Sequence, residues 1–461
     1  MPAIYVTHSH TIGKLAVPLI LTNFAYVAIA TVDLVMLGTL SALDLAAGGL
    51  AIALFNQLRT MGTGLVTATG NLVAGAAGRK DYAAIPKLLN ASFIWASVVA
   101  LVFIVLMGLL ETPLVLLGQD PEVAAKTVDY LTIVAIGMLP CLWFQSVRHF
   151  SVGLKAPGPL LMITLMAVTM TILLNYGLIF GAWGLPALGF IGVAVTTLCV
   201  LIFSFIAFIF IALRHPVLGP YIHWKWWETD RESIMATWKM GLPIAATYGS
   251  EAGFFTLLML LVGSLGVHEL AAHTVVNQLV YITFMISAGI SSAASICISE
   301  AYAQQKFLRA RELGIAGMWL GTIATAIIAV PYLLVPHWVL FPFMSAEEMQ
   351  NSSILNLAIS LLAIAAFLQV FDAGQNIGLG ILRGIGDVKS PLQLSILGYW
   401  IIGLPAAWGA CYLLDLSIQG VWYGLMLGLA VTALLQLILF LVKASPPKPA
   451  PSAALVPEQN I

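Results

Sequence analysis

The feature that most restricts the fold of this chain is a succession of apolar stretches that fills almost all of its 461 residues. An α-helix needs about 20 apolar residues to cross the hydrocarbon core of a bilayer. Only 8% of the residues are charged and 61% are hydrophobic, and the mean hydropathy is +1.00. Soluble domains carry about 25% charged residues. Too few charges remain to cover a water-facing surface, so the sequence predicts an integral membrane protein.

The apolar runs are continuous and rich in Leu, Ala, Ile and Gly, unlike the alternating segments of about ten residues in a membrane β-barrel. They predict an all-α membrane protein with twelve transmembrane helices. The predicted spans are 12–38, 46–77, 84–110, 127–152, 159–181, 189–213, 238–262, 270–300, 310–335, 352–380, 391–412 and 418–443.

The Lys and Arg residues predict the orientation. Of the 19, we assign all but Lys126 and Arg59 to one side, with Arg148 in the connection after the fourth span and Arg383 in that after the tenth. Cytoplasmic connections carry the excess of Lys and Arg. We therefore expect both termini to be cytoplasmic in a multi-pass protein of the inner membrane. Nothing indicates an obligate oligomer, so we expect a monomer, and the net charge of −1 implies no nucleic-acid partner.

The chain contains an internal duplication with an offset of 225 residues. Residues 14–47 align without a gap on residues 239–272, where Lys14 matches Lys239, and the same offset continues to Gly64 and Gly289. Each copy holds six spans, so the copies should be related by an axis along the membrane normal, with a cleft between them. This predicts pseudo-symmetric six-helix bundles at 1–213 and 238–443, a cytoplasmic linker loop at 214–237 and a disordered cytoplasmic tail at 444–461.

Three acidic residues lie within the apolar runs: Asp33, Glu251 and Asp372. A charge in lipid is costly, so such residues usually face a cavity and indicate an ion, proton or substrate path. Glu251 and Asp372 both belong to the second half. With Tyr248 and Asn376 nearby in sequence, they form a candidate cation-coupling site. Hard oxygen ligands suit a small cation such as Na⁺, and the same acids can carry protons, so the sequence leaves both ions open.

Arg59 falls near the centre of the second span, where an unpaired arginine is costly. Two interpretations remain open: an ion pair with Asp33, or a place on the wall of a water-filled cleft. Gln57 and Asn175 either line a proton- or substrate-binding cavity with Asp33 or bond one helix to another. We find no nucleotide loop, His/Cys metal cluster or nucleophile elbow, so we do not expect an enzyme.

Three segments together resemble the MATE (multidrug and toxic compound extrusion) family, and its NorM-like branch most of all. They are TVDLVMLGTLSALDLAA from residue 31, GLPIAATYGSEAGFFTLLMLLVGSLGVHELAAH from residue 241 and LQVFDAGQNIGLGILRGIGD from residue 368. The resemblance covers residues 12 to 443. The alternative of a major-facilitator transporter fits poorly, because the loop AGAAGRKDYAAIP lacks the arginine- and glycine-rich motif of that class.

The resemblance implies a V-shaped fold and the export of cationic amphiphilic compounds in exchange for inward Na⁺ or H⁺, with no other cofactor. It assigns Asp33 to a first-half site and Glu251 and Asp372 to a second-half cation site. The partners would be membrane lipid and cationic amphiphilic small molecules. Two features depart from the pattern: Asn175 has Ile179, not Asp, four residues later, and Arg59 replaces an apolar residue. The alternative is a flippase of the same superfamily that moves a lipid-linked or amphiphilic substrate.

Overall fold

The computed structural model of the chain describes residues 2–116, 118–344, 349 and 352–444, without the side chains of 2–5, 42 and 352. Within these residues the structure is helical and contains no β-strand. The predicted tail lies outside them, apart from Ala444. The α-helices, in chain order, are α1 (Pro2–Gly38), α2 (Ala42–Gly78), α3 (Ala84–Gly108), α4 (Glu111–Leu116), α5 (Pro121–Ile136), α6 (Met138–Gly153), α7 (Gly158–Phe180), α8 (Phe190–Arg214), α9 (Arg231–Gly263), α10 (Val267–Ala303), α11 (Phe307–Leu334), α12 (Pro336–Leu340), α13 (Ser352–Gly384), α14 (Lys389–Ile396), α15 (Leu404–Tyr412) and α16 (Ser417–Lys443).

Ten helices in the described part of the chain are long and apolar enough to cross a membrane. The pair α5 and α6 adds an eleventh if it is counted as one span bent by 48° at Gly137. The chain is therefore a multi-pass membrane protein, although these criteria do not yield the twelve predicted spans.

Helix α2 is the predicted span that these criteria leave out. Its 37 residues include Asn56, Gln57, Arg59 and many Gly and Thr residues, which lower its hydropathy. Most of its second half is nevertheless buried, because α2 packs against α3, α5, α6, α9 and α10. A helix that other helices surround needs little apolar surface for lipid, so its composition follows from its central position.

The three largest clusters of buried apolar residues are one core shared by both halves of the chain and two cores that are separate. The shared core joins Ile12 and Leu19 of α1 to Ala294 of α10 and Ile377 of α13. At the other end of the helices, one core belongs to the second half, from Phe254 to Leu429. The other consists mainly of first-half residues. We call these the shared end and the divided end of the molecule.

Two glycine contacts join the halves and follow the duplication. A Cβ atom on Gly64 of α2 would lie 2.8 Å from Ala245 Cα of α9, and one on Gly289 of α10 would lie 2.4 Å from Ile20 Cγ1 and 3.1 Å from the Ile20 nitrogen of α1. A shift of 225 residues converts Gly64 into Gly289 and Ile20 into Ala245. The repeat therefore supplies the same close helix contact twice, and small residues permit that approach.

The linker between the halves is shorter than predicted. Helix α9 begins at Arg231 rather than at residue 238, because Asp230 caps it and accepts a hydrogen bond from the Ser233 nitrogen at 2.8 Å. Lys87 Nζ also donates to Asp230 at 2.8 Å. That hydrogen bond, followed by those from Ser233, lowers the pKa of Asp230 to about 2. Trp224 stacks on Phe93 with centroids 5.2 Å apart, so the linker packs on the first half.

Two arginines that we assigned to connections lie inside helices. Arg148 is in α6 and Arg383 is in α13, where its side chain is 5% exposed. Arg148 donates to Asn23 Oδ1 at 3.0 Å, and Arg383 donates to the Tyr248 hydroxyl at 3.1 Å. Both residues therefore lie in helices and not in connections, because a helix extends past its apolar core when polar side chains bond its last turns. Their assignment to the cytoplasmic side stays a prediction.

We predict that Gly64→Ala lowers the thermal unfolding temperature in detergent. Alanine stabilises a helix interior by up to about 1 kcal/mol relative to glycine, but overpacking against the α9 backbone costs about 1–3 kcal/mol. The matched control is Gly13→Ala in α1, where an added Cβ meets no atom within 4 Å. The control should be neutral or stabilising. Equal effects of the two substitutions would contradict the role of the contact.

Candidate functional site

Asp33 is buried near the divided end of the first half, and neutral donors hold it. It is 4% exposed. Asn175 Nδ2 of α7 donates to Asp33 Oδ1 at 2.7 Å, and Thr197 Oγ1 of α8 donates to Oδ2 at 3.4 Å. The Tyr130 hydroxyl of α5 lies 3.3 Å from Thr197 Oγ1 and extends the network. The structure thus brings Asn175 to Asp33.

A cavity of about 100 Å³ opens beside Asp33. Ligand pockets usually measure about 300–1,000 Å³, so a drug-sized molecule requires its walls to separate. The wall contains one acid, one arginine, amides and many aromatic or aliphatic side chains. The lining residues are Tyr26, Ile29, Ala30, Asp33, Ile52, Phe55, Asn56, Arg59, Tyr130, Val134, Cys141, Phe144, Gln145, Thr197, Val200, Leu201 and Ser204.

Arg59 lines this cavity without pairing with Asp33. Its Nε donates to Asn56 Oδ1, one turn earlier in α2, at 3.1 Å. No pair of side-chain N and O atoms from Arg59 and Asp33 approaches within 4.0 Å. The interpretation of Arg59 as an ion-pair partner of Asp33 was wrong, and its place on a cleft wall agrees with the structure. Gln57 is half-buried in the same helix but is not part of the cavity lining.

Glu251 of α9 and Asp372 of α13 form a second acidic site. Asp372 is 4% exposed and Glu251 is half-buried. The two carboxyl groups are close enough to act on one another electrostatically, and both act on the hydroxyl of Tyr399. Asp372 Oδ1 and the Tyr399 hydroxyl oxygen are buried and have no hydrogen-bond partner among the described residues. The site therefore contains oxygen atoms available to a cation or a proton.

The depth of this site follows from its neighbours along α13. Leu368 belongs to the core of the second half, whereas Ile377 belongs to the shared core. Asp372 lies between them, at the level where the two halves begin to separate. Glu251 lies at a similar level in α9, between Ala245, which contacts Gly64, and Phe254 of the second-half core.

A π-helical segment, Leu397–Gly403, positions Tyr399. A Cβ atom on Gly398 would lie 1.7 Å from Thr432 Oγ1, and one on Gly403 would lie 3.3 Å from Gly428 Cα, so glycines let this segment lie directly on α16. Tyr399 stacks on Phe254, with centroids 5.0 Å apart. Trp400 Nε1 donates to Ser250 Oγ at 2.9 Å. Single π-helical turns are frequent at functional sites, and here the turn directs two aromatic residues towards α9.

Two residues predicted for the cation site have other recorded partners. The Tyr248 hydroxyl accepts from Arg383. Asn376 Nδ2 donates to Ser287 Oγ at 3.0 Å, and its backbone carbonyl accepts from Ser291 Oγ at 2.7 Å. The structure does not record a hydrogen bond from either side chain to Glu251 or Asp372 among the residues it describes. Their part in cation coupling stays a prediction.

Sequence reasoning did not find Tyr130, Thr197 and Tyr399. Thr197 contacts Asp33, and Tyr130 contacts Thr197, from helices that are distant in sequence. Each lies next to other polar residues in its helix, and the local sequence does not distinguish it from them. Tyr399 does have a local sequence signal, because Gly398 and Gly403 flank it within an apolar span.

The helices and the two internal acidic sites define a multi-pass membrane protein with charged groups placed for transport. A family model described as MatE matches residues 18–177 and 243–408. A relative from Rhizobium meliloti (strain 1021), a probable multidrug resistance protein NorM, is 33% identical over 93% of this chain and 92% of its own length. A protein of the same name from Pseudomonas putida is 32% identical and covers 91% of each chain.

Solved structures agree at the level of the fold. An outward-facing multidrug resistance MATE family transporter of the MOP superfamily has a TM-score of 0.86 at 17% identity, over 95% of this chain and 96% of its own. The eukaryotic MATE transporter AtDTX14 has a TM-score of 0.83 at 18% identity and the same coverage. This chain belongs to the MatE family and is a NorM-like MATE transporter.

We predict that Asn175 and Asp33 are energetically coupled. Asn175→Ala removes the 2.7 Å donor of a buried carboxyl group and should lower the free energy of unfolding by about 1–3 kcal/mol. In an Asp33→Leu background the same change should cost much less, because the amide then has no acid to bond. Denaturant unfolding in micelles measures all four variants. Equal costs in both backgrounds would show that the hydrogen bond contributes nothing.

Proposed function

We propose that this protein is a secondary active antiporter that exports cationic amphiphilic drugs or toxic compounds in exchange for inward Na⁺ or H⁺. The observation that carries the proposal is the separation of acidic groups into two sites: Asp33 in the first half, and Glu251 with Asp372 in the second. An exchanger needs a place for each of its two cations, and these sites supply them.

The division of the core supports a mechanism of alternating access. One shared core and two separate cores fit two six-helix bundles, 1–213 and 238–443, that diverge into a V. Lys155 of the first half pairs with Glu300 of the second at the shared end. By the positive-inside argument the shared end is cytoplasmic, both termini face the cytoplasm and the protein lies in the inner membrane as a monomer. Rocking of one bundle against the other would then open the cleft to either side.

The acidic site of the second half is suited to the coupling ion. The membrane potential favours inward movement of a cation by about 2.3 kcal/mol per charge per 100 mV. A carboxyl pair can accept a proton, or can hold Na⁺ together with neutral oxygens such as those of Tyr399 and Ser250. Such neutral oxygens are needed, because no three His, Cys, Asp or Glu residues cluster as metal ligands in the described part of the chain.

The relatives named as probable multidrug resistance proteins support drug export as the direction and purpose of transport. A flippase for a lipid-linked pyrophosphate would require a basic cavity. Here Asp33 shares the cavity with Arg59, and four of the seventeen lining residues are aromatic. This wall suits an amphiphilic cation better than a phosphate.

Transport of rhodamine 123, a fluorescent monocation, into everted membrane vesicles tests the proposal. Uptake should require either a Na⁺ gradient or a pH gradient, applied separately. Glu251→Gln and Asp372→Asn should each reduce gradient-driven uptake by at least tenfold, because each removes one of the two carboxylates that would hold the coupling ion.

Two substitutions outside the site serve as matched controls. Glu232→Gln changes an exposed acid in the first turn of α9, and Asp415→Asn changes an exposed acid between α15 and α16. Both controls should keep the uptake of the unmodified protein. Unchanged uptake in Glu251→Gln and Asp372→Asn would remove this pair from coupling, and no uptake under either gradient would refute antiport.

A further inference from the structure

A positive charge without a counter-charge lies in the cavity that also holds Asp33. Arg59 is half-buried and its Nε donates to the neutral amide of Asn56. A guanidinium group has five N–H donors, and the structure records no other hydrogen bond from this one to a described residue. Buried charges are ordinarily paired, because leaving water without a partner is costly.

Asp33 does not supply the missing counter-charge to Arg59. Its Oδ1 accepts a hydrogen bond from Asn175, and its Oδ2 lies 3.4 Å from Thr197 Oγ1, whose one proton is shared with the Val193 carbonyl at 3.1 Å. The described ion pairs closer than 4.0 Å include neither Asp33 nor Arg59. One cavity therefore presents a negative and a positive group that do not neutralise each other.

Arg148 adds a second positive charge behind the same part of the wall. It donates to Gln145 Oε1 at 3.2 Å and to Asn23 Oδ1 at 3.0 Å, and its guanidinium carbon lies 5.7 Å from the centre of the Tyr26 ring. Gln145 and Tyr26 line the cavity. These partners are neutral, and Arg59 and Arg148 act on one another electrostatically. The wall around Arg59 is thus more positive than Arg59 alone would make it.

We propose that Arg59 binds a carboxylate on the cargo, so that the preferred cargo is a zwitterionic aromatic amphiphile whose cationic group lies towards Asp33. The inference rests on the proposed function, since it specifies the cargo of the same exporter. A guanidinium fork matches a carboxylate through two parallel hydrogen bonds. Phe55, Tyr130 and Phe144 on the cavity wall would contact the aromatic body of the cargo.

This assignment distinguishes zwitterions from simple cations. A monocation in the cavity is attracted by Asp33 but repelled by Arg59, whereas a carboxylate on the same molecule turns that repulsion into an attraction. Arg59 would then act as a specificity-determining residue, and its removal should change the ratio of two transport rates rather than transport as a whole.

Rhodamine 110 and rhodamine 123 test the proposal, because rhodamine 123 is the methyl ester of the zwitterion rhodamine 110. Uptake of both dyes into everted vesicles would be measured for the unmodified protein, Arg59→Gln and Arg59→Lys. Arg59→Gln should reduce uptake of rhodamine 110 about tenfold, because it removes a charged hydrogen-bond donor. Uptake of rhodamine 123 should stay within about twofold or rise. Arg59→Lys keeps the charge but not the two parallel donors of the guanidinium fork. Its ratio of rhodamine 110 uptake to rhodamine 123 uptake should therefore fall between the ratios of the unmodified protein and of Arg59→Gln.

The control is Arg79→Gln, which removes an exposed arginine after α2 and should leave the ratio unchanged. The proposal is overturned if Arg59→Gln lowers both dyes equally, or if the unmodified protein moves rhodamine 123 but not rhodamine 110. The second outcome leaves cation export intact, whereas no uptake of either dye would refute the exporter itself. If size-exclusion chromatography shows that Arg59→Gln is misfolded, Arg59→Lys provides the test instead. An unchanged ratio of rhodamine 110 uptake to rhodamine 123 uptake in that variant refutes the role of the guanidinium fork.

Discussion

The structure depends on how charges are accommodated in an apolar interior. The free energy of an ionised group in lipid is high, so each such side chain in a span must find a partner, a cavity or a ligand. Asp33 accepts a hydrogen bond from Asn175 and lies within reach of the Thr197 hydroxyl. Arg148 donates hydrogen bonds to Asn23 and Gln145, and Arg383 donates to Tyr248 and Ser295. Among the described residues, no hydrogen bond is recorded to Asp372 Oδ1 or to the Glu251 carboxyl group, and Arg59 has one hydrogen bond, to Asn56. These three groups belong to the two sites proposed for transport.

The second constraint is the close contact between the halves, which extends from the shared end to the level of Ala245, a member of the core made mainly of first-half residues. Gly64 on Ala245 and Gly289 on Ile20 bring α2 against α9 and α10 against α1, because neither glycine places a side chain of its own between the helices. Asn71 adds polar contacts across the same boundary, because its amide donates to Ser295 Oγ at 2.7 Å and to Ser299 Oγ at 2.8 Å. These contacts must break if the cleft is to open at this end. The hydrogen bonds of Asn71 can be replaced by bonds to water, and the two glycines have no side chains that would have to be reordered. Such an interface is suited to two discrete arrangements.

The two sites also suggest how the exchange could be coupled. Asp372 lies at the level where the shared core gives way to a separate one, so a cation or proton bound there would be close to the boundary that moves in the proposed mechanism. A ligand shifts a conformational equilibrium only by its difference in affinity for the two states. The unpartnered oxygens of Asp372 and Tyr399 are groups whose environment a small rotation of one half would change.

The sequence by itself determined the membrane location, the helical class, the duplication and the positions of the acids within apolar runs, because hydropathy, a fixed offset and rare charges are properties of the chain. For Asn175 it left two interpretations, a place in a cavity with Asp33 or a bond between helices. Only the tertiary structure decided that Arg59 and Asp33 do not pair, that α2 lies among other helices, that Arg148 and Arg383 point inward and that Tyr399 faces the two acids. The reason is physical: whether a side chain meets lipid, water or a partner depends on helix rotation and on residues more than a hundred positions away, and the local pattern of an apolar helix records neither.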